Sequence, residues 1–266
     1  AQVDTNQQEN ETNENNNTNY KYLTVQSPMP DLIVSGIATN PWSVLAGQNV
    51  TVTVTVKNQG TAAAGAFSVD IYKHRDTAPS PGLTGDAYCT ISGLAAGATT
   101  TCVQTMNYAA GGSYKMWAQV DTNQQENETN ENNNTNYKYL TVQTPMPDFI
   151  VSALTTPVTA GAGQTITVSE TTKNQGAGAA EASTTKFYLS TNFSWDAEDT
   201  YIGQRAVPSL SAGASSGPVN TSVTIPLGVA TGSYYIIAKT DADGDNTESN
   251  ENNNTNNKLI NIGPDL

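Results

Sequence analysis

The chain has 266 residues, a net charge of −13, 36% hydrophobic residues and only 13% charged ones; Thr, Asn, Gly and Ser fill much of the remainder, a mix that suits short strands and polar turns and disfavours helices. No run of 18 apolar residues is present to span a membrane as a helix, and no basic cluster is present to hold a nucleic-acid backbone. With neither an initiator Met nor a signal peptide, the expectation is a mature or excised segment of a longer extracellular protein.

Residues 1–26 recur identically at 118–143, and Pro30-Asp31-Leu32 returns as Pro147-Asp148-Phe149 and as Pro264-Asp265-Leu266, each step being 117 residues. A period of that length is one sandwich domain rather than a solenoid unit. The expected organisation is the end of a preceding repeat at 1–26, full repeats at 27–143 and 144–262, and the start of a further repeat at 263–266. The links Ser27-Pro28-Met29-Pro30 and Thr144-Pro145-Met146-Pro147 hold two prolines in four residues, which restricts the hinge.

In chain order, Val50 to Val56 alternates Val and Thr with period two, the mark of a half-buried strand. It leads into Lys57-Asn58-Gln59-Gly60, where Gly60 is expected to supply a left-handed backbone. Further strands are expected over Phe67–Tyr72, Ala87–Ile91, Thr99–Tyr108, Tyr114–Val120 and Tyr137–Val142. Cys89 and Cys102, the only cysteines, flank the turn 93–97 on neighbouring strands, so a disulfide is expected in an oxidising compartment, with two buried free thiols as the alternative. The second repeat aligns Arg205 and Pro218 with these cysteines. Its strand Ile166–Thr172, before the turn 173–176, places Glu170 where Val54 faces the core, which calls for a bulge or a buried partner. Seven or so short strands per repeat read as an all-β protein of tandem immunoglobulin-like β-sandwiches.

The acids are concentrated. Asp4, Glu9, Glu11 and Glu14 form one cluster, Asp121, Glu126, Glu128 and Glu131 a second, and Asp241, Asp243, Asp245, Glu248 and Glu251 a third; outside them acids and bases balance. Calcium takes six to eight oxygens from carboxylates, amides and backbone carbonyls. The candidate ligands are therefore Asp4, Asn6, Glu11 and Glu14; Asp121, Asn123, Glu128 and Glu131; and Asp241, Asp243, Asp245, Glu248 and Glu251. Asp-x-Asp-Gly-Asp at 241–245 sets carboxylates at alternate positions of a tight loop, and a later Glu can close the shell. No His or Cys lies nearby to favour a softer metal. The alternative is a solvated acidic hairpin that keeps the protein soluble. A separate acidic patch, Asp196-Ala197-Glu198-Asp199, is expected to be an exposed loop.

The repeat resembles the CARDB domain, a cell-adhesion-related module of bacterial and archaeal surface proteins. The matching residues are Pro30-Asp31-Leu32-Ile33-Val34, Gly47-Gln48, the turn 57–60, Leu94 with Gly97, and the closing Val120-Asp121…Glu128-x-Asn130-Glu131-x-Asn133-Asn134; Tyr188-Leu189-Ser190-Thr191 fits in the second repeat. The resemblance implies an immunoglobulin-like sandwich used as spacer, adhesion or assembly module, with no catalysis of its own and with calcium in the acid-rich closing segment. The cysteine pair, absent from the second repeat, is not implied by it.

Enzyme readings find little purchase. His74 is the only histidine and falls beyond a strand end, and Gly213-Ala214-Ser215-Ser216-Gly217 matches a nucleophile elbow only by letter. Trp117 and Trp42, aligned with Ile237 and Val158, are expected in the core, while Trp195 is the one candidate for exposure. Sequons at Asn10, Asn16, Asn49, Asn127, Asn133, Asn192, Asn220 and Asn253 raise surface glycosylation. The leading expectation is a calcium-stabilised extracellular fibre, filament or stalk whose partners are neighbouring repeats or further copies. The runner-up is an adhesin or accessory module that binds surface glycans.

Overall fold

The structure is a computed structural model, and it describes residues 1–264, so Asp265 and Leu266 of the expected further repeat lie outside the described residues. By backbone contacts the chain divides into two compact units, residues 1–39, 51–106 and 115–139, and residues 40–50, 107–114 and 140–266. Among the described residues all regular structure is β. The first repeat carries β1 (Leu32–Asn40), β2 (Ser43–Leu45), β3 (Asn49–Asn58), β4 (Phe67–Tyr72), β5 (Ala87–Ile91), β6 (Thr99–Asn107), β7 (Gly112–Val120) and β8 (Thr135–Gln143). The second carries β9 (Phe149–Thr155), β10 (Thr159–Gly161), β11 (Thr165–Asn174), β12 (Ser183–Ser190), β13 (Thr200–Val207), β14 (Ser215–Thr224), β15 (Gly232–Lys239) and β16 (Thr255–Gly263).

Each repeat builds a three-stranded sheet, β1-β3-β6 or β9-β11-β14, and a five-stranded one, β2-β8-β7-β4-β5 or β10-β16-β15-β12-β13. The chain thus starts in one sheet and crosses to the other, where the short β2 pairs parallel with β8, Ser43 opposite Thr141 and Leu45 opposite Gln143. The β10–β16 pairing repeats this, Thr159 opposite Asn261.

The sequence pattern explains the layers. In β3, Val50, Val52, Val54 and Val56 are fully buried while the threonines between them face partly outward. Burying each valine contributes about 1.5–3 kcal/mol. Leu32, Phe67, Val69, Ile71, Met116, Ala118, Val120 and Leu140 of the same repeat are buried as well. In the second repeat the corresponding core joins Val151, Ile166, Val168, Phe187, Leu189, Val223, Ile225, Ile236, Ala238 and Ile260.

Three expectations are corrected. Gly60 and Gly176 are not left-handed; a Cβ on Gly60 would lie 2.5 Å from the Asp31 nitrogen and the Met29 oxygen, and one on Gly176 equally close to Asp148 and Met146. Glycine is required there because the lead-in of the repeat passes against it. Trp42 is 79% exposed rather than in the core, and so is its counterpart Val158 at 74%, since both sit in the turn between the first two strands. Trp117 is buried as expected, and its Nε1 donates to the Arg75 carbonyl at 3.0 Å. Trp195 is half-buried, with the Lys239 ammonium 3.5 Å above its ring.

The open side of each sandwich is closed differently. Cys89 on β5 and Cys102 on β6, the edge strands of the two sheets, form a disulfide with Cα atoms 5.7 Å apart. In the second repeat Arg205 on β13 reaches Glu170 on β11: Nε donates to Oε2 at 2.6 Å and Nη2 makes a close ion pair with the same carboxylate. Arg205 also donates to Ser216 on β14, at Oγ (3.2 Å) and at the carbonyl (2.9 Å). Glu170 therefore faces the core and meets a partner, and the register slips between Glu170 and Thr172 as it does so. Burial pushes its carboxyl up, opposed by the Thr172 hydroxyl and the guanidinium.

Candidate metal centre

The acidic loop follows β7. Asp121 takes a left-handed backbone (φ 49°), which folds the chain back so that its carboxylate accepts the next amides: Oδ1 from Gln125 N at 2.9 Å and Oδ2 from Glu126 N at 3.0 Å. Aspartate tolerates this conformation because its short side chain bonds locally. Three residues span the second half of the loop, where Glu131 Oε1 accepts the Glu128 amide at 2.8 Å.

Longer-range contacts then tie the loop to the start of the repeat. Glu128 is buried; its Oε1 accepts from Asn134 Nδ2 at 2.6 Å and its Oε2 from the backbone N–H of Leu32 on β1. Thr129 N donates to the Pro30 carbonyl at 2.9 Å, and Asn133 Nδ2 to Asp31 Oδ1 at 2.8 Å. Asp31 in turn is fixed by the 57–60 turn: its N–H donates to Asn58 Oδ1 and its Oδ2 accepts from Gln59 Nε2. Asn58, fully buried, also donates to the Ala62 and Leu94 carbonyls, so the motif's asparagine is a polar hub inside the sandwich.

The result is a gathering of carboxylates. Oxygens of Asp121, Glu128 and Glu131 lie within 4.8 Å of one another, and among the described residues this is the one such group. Burial pushes the Glu128 carboxyl up to about 7, aided by the neighbouring charges of Glu131 and Asp121 and opposed by the bonds from Leu32 and Asn134. Beside it, Oδ1 of Asn134, a residue only 7% exposed, and Oδ1 of Asn133 have no hydrogen-bond partner. The three gathered carboxylates make an all-oxygen donor set, which fits a hard cation, and the two orphaned amide oxygens on the same loop are further oxygen donors in its sequence. Asn123 is not part of it; its Nδ2 donates to Ser68 Oγ at 3.3 Å.

The second repeat reproduces the frame. Asp241 (φ 43°) accepts from Asp245 N and Asn246 N, Glu251 accepts the Glu248 amide, and Glu248 accepts from Asn254 Nδ2 and Phe149 N. Burial pushes the Glu248 carboxyl up to about 7 as well, and Asn253 and Asn254 again present orphaned Oδ1 atoms. The Asp-x-Asp-Gly-Asp carboxylates do not converge: Asp243 forms an ion pair with Lys186, and Asp245 is exposed. Residues 1–26 keep only the local part. Asp4 accepts from Gln8 N and Glu9 N, and Glu14 from Glu11 N, while Glu11 and Asn6 are exposed.

Sequence reasoning missed Asp31, Asn134 and the Leu32 amide. The low-complexity Asn run hides which amides point inward, and the tie to residue 32 spans 96 positions. Asn133 and Asn253 carry sequons, yet their Nδ2 atoms are bonded to Asp31 and Asp148, which suits the loop and not a glycan. His74 is exposed and accepts from Lys115 N through Nδ1.

The CARDB family model matches residues 29–138 and again 146–258. The chain belongs to the CARDB family. Among solved structures it is similar to the CARDB domain of a Pyrococcus furiosus protein in complex with di-metal ions, at 25% identity over 44% of this chain and 97% of that one, with a TM-score of 0.38. A solution structure of the same domain gives 24% identity, 44% and 97% coverage and a TM-score of 0.36. A domain of a candidate cell surface protein from Methanosarcina acetivorans gives 24%, 43% and 93%, and 0.35. A search of curated proteins returned no match. Both CARDB repeats thus hold the acidic loop against their own first strand.

Proposed function

We propose that this chain is a non-catalytic structural segment of an extracellular fibre or stalk, and that calcium in the acidic loops clamps the lead-in of each CARDB repeat. The observation that carries the reading is the gathering of Asp121, Glu128 and Glu131 beside the orphaned Oδ1 of Asn134, on a loop bonded to Pro30, Asp31 and Leu32. The ion would supply charge neutralisation to carboxylates that otherwise repel. Asp121, Glu128 and Glu131 would hold it with the two asparagine oxygens; the Glu128–Leu32 and Asn133–Asp31 bonds orient them. The residues stiffened are those leading into the repeat, not the 144–147 link that follows it. The Cys89–Cys102 disulfide supports an oxidising, extracellular setting.

Continuity with other copies has its own support. Leu23 and Val25 are 85% and 82% exposed, whereas the identical residues Leu140 and Val142, on β8, are 0% and 2% exposed. The 20–26 segment lies outside any strand here yet carries the sequence of β8, which suits the edge of another sandwich. Thermal unfolding with millimolar calcium and then with chelator tests the cation reading, because a ligand of the folded state raises the midpoint. The expected result is a rise of several degrees that Asp121→Asn with Glu131→Gln removes from the first transition; a midpoint indifferent to calcium would leave the loops as solvated decoration.

A further inference from the structure

A cavity of about 280 Å³ opens between β4, β5 and the loop of the first CARDB repeat, and none of Asp121, Glu128 and Glu131 lines it. Asp70 on β4 is nearly fully buried and lines it. One carboxylate oxygen accepts the Gly85 N–H at 2.9 Å, which leaves the other for a ligand. Tyr88, directly across the β4–β5 pairing from Asp70, is 62% exposed and offers its ring as a wall. Ser68, Thr90, Asn123 and Gln125 add hydroxyls and amides, with Asn123 bonded to Ser68 across the cavity.

We propose that this cavity binds a single neutral sugar residue, at a site that borrows Asn123 and Gln125 from the loop but none of the clustered carboxylates, and that is independent of the fibre reading. Sugar hydroxyls donate and accept at once, and so do the serine, threonine, asparagine and glutamine side chains arrayed here. A buried carboxylate takes the strongest donor of a hydroxyl pair, and a tyrosine face covers the sugar's C–H surface. The volume sits at the lower bound of small-molecule sites, roughly 300 Å³, so one ring fits and a chain does not. An ammonium ligand matches worse, because it has donors only and would leave the Gln125 amide donors unanswered.

The second repeat supplies the internal contrast. Lys186 stands in place of Asp70, paired across the sheet with Gln204 where the first repeat has Tyr88. Its ammonium forms an ion pair with Asp243, the counterpart of Asn123. That position has neither the free carboxylate nor the ring, so the sugar belongs to the first repeat alone.

The test is titration of the full chain with methyl glycosides of glucose, galactose and mannose, and with tetramethylammonium as the cationic probe, read by NMR shift perturbation. At least one glycoside is expected to bind with a Kd near the millimolar range, about −4 kcal/mol. Tyr88→Ala, at an exposed side chain, is expected to weaken it about tenfold or more, and Asp70→Asn, which keeps the acceptor for Gly85, to weaken it similarly; Lys186→Ala is expected to leave it unchanged. Melting curves of each variant separate lost binding from lost folding, and Tyr88→Ala decides if Asp70→Asn unfolds. The proposal is overturned if no glycoside shifts any resonance at about 50 mM, if Tyr88→Ala binds as the parent does, or if tetramethylammonium binds more tightly than every glycoside.

Discussion

The two CARDB repeats share a topology and an acidic loop but close their open side with different chemistry. The first joins edge strands β5 and β6 with a covalent bond; the second sets a guanidinium among Glu170, Thr172 and Ser216. The disulfide acts on the unfolded chain by shortening its reach, whereas the ion pair acts on the folded one and costs desolvation. The position demands only that the two sheets be held together. The reagent is free to vary, provided a change on one strand is met by a change on the other.

The comparison can be broken most severely in the second repeat. Arg205→Ala leaves Glu170 buried without its cation, and the expected loss is about 3–5 kcal/mol, seen as an earlier second transition in urea; Glu170→Val with Arg205→Leu restores most of it. Next comes the first repeat, where Cys89→Ser with Cys102→Ser is expected to cost about 2–4 kcal/mol. Differential scanning calorimetry would place that loss in the first repeat's transition alone, so a loss shared by both transitions would refute independent closure. Gly60→Ala and Gly176→Ala sharpen the contrast by touching what the repeats share. Each drives a Cβ into backbone, and each is expected to cost about 1–3 kcal/mol in its own repeat.

The smallest effect is in pH. Glu128 and Glu248 have folded-state values of about 7, raised above the ordinary carboxylate range. The folded state therefore holds protons that the unfolded state has released, and stability falls as pH rises from the ordinary carboxylate range to about 7. The expected outcome is a melting midpoint in chelator that declines across that window, equally in both repeats, and that calcium flattens.

Much of this was legible from residues alone. The alternation in 50–56 and the runs at 67–72 and 87–91 give β3, β4 and β5 at or close to their observed bounds, because period two on a half-buried sheet is a strong local signal. The short β2 and β10 escaped, since three residues carry no period. The acidic loops could be located but not resolved into ligands: Asp241, Asp243 and Asp245 look equivalent in sequence, and only a lysine 57 positions away shows that Asp243 is engaged elsewhere. Trp42 was misread because an aligned valine suggests a core, whereas both residues occupy an exposed turn.

The parallel pairing of β2 with β8 has a mechanical meaning. The first repeat's early and final strands run side by side in the same direction, joined at Ser43–Thr141, Val44–Val142 and Leu45–Gln143. Tension applied at opposite ends of the repeat slides these strands along each other, so their hydrogen bonds are loaded in shear together instead of being unzipped one after another. A force spectrum of the chain is expected to show two discrete high-force events, and Val44→Pro, which puts a residue without an N–H at the middle of that clamp, is expected to lower only the first repeat's peak.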